Sequence, residues 1–290
     1  MDLIEKDSSS QNFEPKKKVL YVVGTPIGNL GDLSQRATSI LINVTSIACE
    51  DTRHSGKLLK NIGSKAKIYS FYKQNTKKRI PTLLSLLADG ETLALISDAG
   101  IPGISDPGEE LISAAIKEGF KVICIPGPCA AITALASSGL PTNKFCFEGF
   151  IAPKGKERRR NLINISAEKR TTIIYESPHK IIQLLEELSE LCGPGRPITL
   201  ARELTKIYEE QIGPNIQEAL KYFKKEKPRG EFTIVLGGNP HSDKIITDES
   251  VLVKDMNELI KKGRSSIEAA KEISKISGQS KRFLYSLLHK

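Results

Sequence analysis

Short apolar runs alternate with longer stretches of helical periodicity along most of the chain. The first series of β-rich runs covers residues 19–23, 46–49, 67–71, 92–97 and 121–125. Between them, apolar positions recur at helical spacing over residues 33–42, 77–88 and 108–118. Strands buried on both faces read as continuous apolar runs, and strands separated by helices pair in parallel. This series therefore predicts a mostly parallel sheet with helices on both faces. Gly139-Leu140-Pro141-Thr142-Asn143 then breaks the pattern.

A second series follows, with strands expected at residues 145–149, 171–175, 197–201, 206–213 and 231–236, and helices at 156–166, 180–191 and 215–224. No long helix precedes the fourth of these strands, which predicts an antiparallel partner and a mixed sheet. Gly237-Gly238-Asn239-Pro240 closes this unit, and a polar linker follows. Residues 251–290 read as a small helix-turn-helix-like module. Ser265 or Ser266 caps a helix over 267–276, Gly278 closes it, and Ser280 precedes a last helix over 282–288. The expected fold class is α/β: a disordered tail over 1–17, αβα domains over 18–142 (parallel sheet) and 143–240 (mixed sheet), and a helical extension over 250–290.

Charge adds a partner class. The net charge of +9 favours an anionic partner: nucleic acid, an acidic membrane or an acidic small molecule. A solvated basic surface is the plain alternative. The amino-terminal stretch lacks the apolar segment of a signal peptide, and no run of about 18 apolar residues could span a membrane. Five cysteines without a C-x-x-C pair point to reduced thiols and a cytoplasmic location. The four histidines are scattered, so no metal site is expected.

Ligands of open α/β sheets sit beyond the carboxyl ends of the strands. The turns there read "GTPIGNLGD", "EDTRHSGKLL", "SDAGIPGISDPGEE" and "PGPCAAITALASSG". Three of the four are rich in Gly and Pro, which lets backbone approach a ligand at small entropic cost. The first turn is neither a dinucleotide fingerprint nor a P-loop: it carries no phosphate-binding Lys, and Pro26 lacks an N–H. Asp98 can accept from an amine or a ribose hydroxyl, or cap its own loop. Cys129-Ala130 opens a helix whose free amides can meet a carboxylate. Cys129 has no base beside it in sequence to make it a nucleophile.

"LYVVGTPIGNLGDLS", "EDTRHSGKLL", "SDAGIPGISDPG", "IPGPCAAITALASSGLP", "FCFEGF" and "YESPHK…LARELTK" together resemble the small-subunit rRNA ribose methyltransferases of the tetrapyrrole-methylase superfamily. The resemblance spans about residues 18–240, with a weaker match to that family's carboxyl-terminal extension. It implies two αβα domains with S-adenosylmethionine in the cleft between them, and a homodimer. It also implies methyl transfer to the ribose 2′-oxygen of a cytidine in the decoding region of 16S rRNA. By position in the motifs, Asp98, Ala99, Gly100 and Ile104 wrap the cofactor, and Cys129 and Ala130 bind it through backbone. Tyr175, Glu176, Arg202, Phe232 and Thr233 close the adenine side, and Pro26 lies on the cleft floor. The superfamily's first turn is usually G-x-G-x-G-D-like. "GTPIGNLGD" departs from that, so this turn is expected to face the acceptor more than the cofactor.

Such a reaction needs alignment first and a proton acceptor second. The sequence leaves the base open among Glu50, Asp51, Arg53, His54, Glu148, Glu176, Arg202, Glu203 and Glu231. Asp51, Arg53 and Glu203 are the catalytic candidates taken forward. Helix capping would explain Asp51 without any catalytic role. "PKGKERRR" supplies Lys154, Lys156, Arg158, Arg159 and Arg160 for RNA phosphates, joined by Lys281 and Arg282 in the last helix. Two rivals remain: a tetrapyrrole-precursor methylase of the same fold, and a non-catalytic RNA-binding assembly factor.

Overall fold

The structure, a computed structural model, describes residues 14–239, 249–277 and 279–288. Strands β1 (Val19–Val23), β2 (Ser46–Cys49), β3 (Lys67–Ser70), β4 (Leu93–Ile96) and β5 (Lys121–Ile125) form one parallel sheet, ordered β3-β2-β4-β1-β5. Helices α1 (Gln35–Asn43), α2 (Thr52–Asn61), α3 (Thr76–Ala88) and α4 (Glu109–Lys117) connect them. Side chains alternate across a strand, so β1 sends Tyr21 and Val23 into one core with Ile47 and Ile96, and Leu20 into the other with Leu93 and Leu95. The central strands β1, β2 and β4 are buried on both faces, which is why they read as unbroken apolar runs, whereas the edge strands β3 and β5 are partly exposed. Helix α1 starts two residues later than its periodicity predicts. Residues Leu30–Asp32 form a 3-10 turn capped by Asn29, and the Ser34 hydroxyl accepts from the Ala37 amide at 3.1 Å to begin α1.

Helix α5 (Ala130–Ser137) leads into the second sheet. Its strands are β6 (Phe145–Phe150), β7 (Thr171–Glu176), β8 (Ile198–Arg202), β9 (Glu210–Ile212) and β10 (Phe232–Leu236), ordered β6-β7-β10-β8-β9. Only β6 and β7 run parallel; β10 is antiparallel to β7 and β8, and β9 to β8. The sheet is mixed, as the missing crossover helix implied. The fourth strand is shorter than its apolar run. Glu203 and Thr205 adopt φ of +51° and +67°, and the Lys206 amide donates to the Glu203 carbonyl at 3.0 Å. A turn therefore occupies the residues before β9. Helices α6 (Gly155–Ala167), α7 (Ile181–Cys192) and α8 (Ile216–Phe223) bury one face over Ile174, Leu200 and Ile234. The other face, with Ile173, Ala201 and Val235, packs on Ala131, Ala134 and Leu135 of α5, so α5 joins the two sheets.

Helices α9 (Glu249–Lys261), α10 (Ser266–Ser277) and α11 (Lys281–Leu287) enclose their own core of Leu252, Met256, Ala270, Ile273 and Leu284. Ser265 is the cap of α10. Its amide donates to the Glu268 carboxylate at 3.0 Å, and its hydroxyl accepts from the Glu268 amide at 3.3 Å, a reciprocal capping box. Ser280 caps α11 through the Phe283 amide. Gly278, the linker and the amino-terminal residues 1–13 lie outside the described residues. Among the described residues, no helix is long and apolar enough to cross a membrane.

Candidate active site

The strand order places β1 between β4 and β5, so the loops after these three strands meet at one sheet edge. Gly24 and Gly127 cross there in backbone contact. A side-chain carbon on Gly24 would lie 2.8 Å from the Gly127 Cα, so neither position tolerates a side chain without displacement. The next residue stitches the third loop in. The Thr25 amide donates to the Gly100 carbonyl at 2.9 Å, the Gly100 amide returns the bond at 3.1 Å, and the Thr25 hydroxyl donates to the Ser97 carbonyl at 3.2 Å. Gly100 has φ +78°, where a side chain is strained. The first glycine-rich turn thus braces the loop after β4 as well as contributing to the site.

A cavity of about 360 Å³ opens between this floor and the second sheet, within the range of small-molecule sites. The floor supplies Ile27, Ala99, Gly100, Ile101, Ile104, Ser105 and Asp106. Cys129 and Ala130 come from the start of α5, and Phe150, Tyr175, Glu176, Ala201, Leu204, Glu231, Phe232 and Thr233 from the second sheet and its loops. The Tyr175 ring packs against Phe147 and Phe150, with centroids 5.1 and 5.5 Å apart. Its hydroxyl accepts from the Ala131 amide at 3.1 Å. Burial pushes the Tyr175 phenol up to about 12, so it stays protonated at neutral pH.

The charged groups lining this cavity are Asp106, Glu176 and Glu231, all acids; no Lys or Arg among the described residues lines it. Such a wall favours a cation and disfavours phosphates. Glu176 is 6 % exposed. Its Oε1 accepts from the Ser177 amide at 2.8 Å, while Oε2 has no hydrogen bond and lies 3.7 Å from Nη1 of Arg158. Glu231 pairs with Lys206 at 2.6 Å. Burial, then the nearby Asp98 carboxylate, raises the Asp106 carboxyl above its ordinary value. A second pocket of about 70 Å³, lined by Pro26, Leu30, His54, Ser55, Leu58, Ser97 and Asp98, lies along the same loops.

Comparison with known proteins adds the lineage to this geometry. The profile of the tetrapyrrole (corrin/porphyrin) methylases matches residues 19–220. A ribosomal RNA small subunit methyltransferase I of Synechocystis sp. is 42% identical over 269 residues, 93% of this chain and 96% of the relative. The chain belongs to the ribosomal RNA small subunit methyltransferase I family of tetrapyrrole methylases. Its Escherichia coli O157:H7 relative of the same name is 44% identical, over 79% of this chain and 81% of that one. Among solved structures, the methyltransferase CobJ superposes with a TM-score of 0.57 at 21% identity, covering 76% of this chain and 93% of that one. Uroporphyrin-III C-methyl transferase from Thermus thermophilus, complexed with S-adenyl homocysteine, gives 0.53 at 17% identity, covering 76% and 96%. These two share the fold.

In this tetrapyrrole methylase most of the expected cofactor residues come together. Ala99, Gly100, Ile104, Cys129, Ala130, Tyr175, Glu176, Phe232 and Thr233 all line the main cavity. Pro26 and Asp98 line the smaller pocket instead, and Asp98 accepts from the Asp51 amide at 3.2 Å. Arg202 points elsewhere. Its Nε donates to the Arg229 carbonyl at 2.9 Å and its guanidinium pairs with Glu210, which also accepts from the Tyr222 hydroxyl. It braces the β8–β9 corner.

The catalytic candidates lie outside the cavity wall. Asp51 caps α2, accepting from the Arg53 amide at 2.8 Å and pairing with the Arg53 guanidinium at 2.8 Å. The Arg53 contacts hold the Asp51 carboxyl far below the usual carboxylate range, which leaves it a poor proton acceptor. Arg53 itself projects into solvent. Glu203 bonds to Lys206 at 3.0 Å and to the Glu231 amide at 2.9 Å. Burial opposes them, yet these contacts hold its carboxyl below the ordinary value.

The basic run also divides. Lys154, Lys156, Arg159 and Arg160 are exposed along the start of α6, and Lys281 and Arg282 on α11. Arg158 is 3% exposed and is no phosphate ligand: Nε and Nη2 clamp Glu187 at 2.9 and 2.6 Å, and Nη1 donates to the Ala152 carbonyl at 3.3 Å. Sequence reasoning missed Asp106. The loop reads Ser-Asp twice, at 97–98 and 105–106, and only the second acid reaches the cavity.

Proposed function

We propose that the chain transfers the methyl group of S-adenosylmethionine to the ribose 2′-oxygen of a cytidine in 16S rRNA. One observation carries the choice of donor: the cavity wall is acidic throughout its charged positions, which suits a phosphate-free nucleoside bearing a sulfonium cation and opposes a nucleotide. Membership of the small-subunit rRNA methyltransferase family supports the acceptor. The donor supplies an already activated methyl group, so the protein's part is placement.

In this reading Ala99, Gly100 and Ile104, with Cys129 and Ala130, wrap the donor from the floor. Tyr175, Glu176, Phe232 and Thr233 enclose it from the second sheet. The smaller pocket with Pro26, His54 and Asp98 belongs to the acceptor side. The exposed cations Lys154, Lys156, Arg159 and Arg160 face rRNA phosphates. A cytoplasmic homodimer acting on small-subunit rRNA completes the assignment, and sedimentation of the purified chain checks its mass. The deciding experiment offers labelled donor with small ribosomal subunits, free rRNA or a tetrapyrrole precursor. Label on a cytidine ribose is the expected result; label on the tetrapyrrole alone, or nowhere, overturns it. Gly100→Val should weaken donor binding by about tenfold or more by calorimetry, because the new side chain is strained at a positive φ on the cavity wall.

A further inference from the structure

We propose that Asp106 is the catalytic base that takes the proton from the acceptor hydroxyl; this rests on the methyl-transfer reading above. Three carboxylates line the cavity, and two are committed to cations. Glu231 is paired with Lys206 at 2.6 Å. Glu176 accepts from the Ser177 amide, and its other oxygen faces the buried Arg158. Asp106 has no ion pair within 4 Å among the described residues. Its near neighbour is the Ser97 hydroxyl, which also lies 3.2 Å from the Ala99 carbonyl.

The charged and titratable groups around Asp106 are Asp98 on the same loop, Glu50 at the end of β2 and the Tyr175 phenol on β7. None is a cation. Burial, then the Asp98 carboxylate, raises the Asp106 carboxyl above its ordinary value against the opposing Ser97 hydroxyl, which favours uptake of a proton. The backbone holds the group in place. Ser105 adopts φ +65°, a rare conformation for a residue with a side chain and one that clusters at functional sites. Gly149 of β6 backs it so closely that a side-chain carbon there would lie 2.9 Å from the Ser105 hydroxyl oxygen.

As an Asp106 oxygen takes the proton, the freed lone pair of the ribose oxygen forms the new bond to the methyl carbon. The carbon–sulfur pair returns to sulfur and leaves a neutral thioether. The proton on Asp106 then leaves to solvent through the cavity mouth.

The test measures single-turnover methylation of the RNA substrate at saturating donor, with donor affinity measured separately by calorimetry. At saturating donor, Asp106→Asn should slow transfer by about 100-fold or more, a loss that more donor does not recover even though removing one wall carboxylate weakens donor binding. The acidic limb of the wild-type pH–rate profile should vanish in this variant, and Asp106→Glu should restore part of the rate. Should Asp106→Asn not fold, Asp106→Ser carries the same forecast. A wild-type rate in the Asn variant overturns the proposal. So does lost donor affinity with a normal rate at saturation, which would make Asp106 a donor-binding residue. An unaltered chain that methylates no RNA would overturn the underlying reading and this proposal with it.

Discussion

Arg158 has basic neighbours in sequence and acidic ones in space. Its guanidinium is buried between Glu187 and Glu176, so it is part of the fold, whereas Arg159 and Arg160 are solvent-facing. The two kinds of position should respond differently. Arg158→Ala strands two carboxylates and should destabilise the chain by about 3 kcal/mol, read as a lower denaturant midpoint. Arg159→Glu with Arg160→Glu should leave that midpoint nearly unchanged and weaken rRNA binding. The slope of log affinity against log salt should flatten by about 0.9 per lost duplex phosphate contact; an unchanged slope would make these arginines a solvated face. Glu168 gives a pH test. The Arg170 guanidinium holds its carboxyl at about 2. A depressed native value means the stabilisation is complete above the ordinary carboxylate range and is lost as pH falls toward 2. The stability difference between wild type and Glu168→Gln should therefore shrink between pH 5 and pH 2, measured by urea midpoints.

At the scale of elements, strands were more legible than turns. Val19–Val23 and Ser46–Cys49 have the ends that their apolar runs predict, because burial on both faces ends where the run ends, and the partly exposed edge strand Lys121–Ile125 keeps its predicted ends as well. The stretch before β9 was misread as strand because apolar Ile207 and Tyr208 continue the run, yet both are exposed in a turn set by backbone at Glu203 and Thr205. Periodicity carries no information on φ. The crossing of β1 and β5 at Gly24 and Gly127 was visible only as two glycines; their contact is a long-range event. Gly24→Ala should push the two backbones apart, costing about 1–3 kcal/mol. It should also lower donor affinity, since Thr25 follows directly and holds Gly100. A variant with native stability and native affinity would show that the crossing tolerates a methyl group.

The whole molecule carries two sheet layers joined by α5 and a helical unit with its own core. That separate core makes residues 249–290 a candidate detachable module. Deleting it should leave the two-sheet part folded and binding donor with unchanged affinity, while methylation at limiting RNA falls because Lys281 and Arg282 are gone. Calorimetry and a concentration series of rRNA distinguish this from a packing role, in which melting temperature and donor affinity would fall together.

The sequence by itself determined the α/β class, the parallel-then-mixed sheets and the loops that form the cavity. Each of these is written locally, in the length of an apolar run, the periodicity of a helix or a Gly/Pro turn after a strand. The family resemblance added which loop residues gather there. Tertiary structure alone decided which charged groups face the cavity. Asp51 and Asp106 are both acids beside a strand-end turn, but Arg53 engages the first while the second meets only a hydroxyl and other acids. Arg158 turns inward because Glu187, far along the chain, is there to receive it. The acidic wall is assembled from Asp106, Glu176 and Glu231, residues of separate segments. A side chain's direction and proton affinity depend on partners that only folding brings near, and no local pattern encodes them.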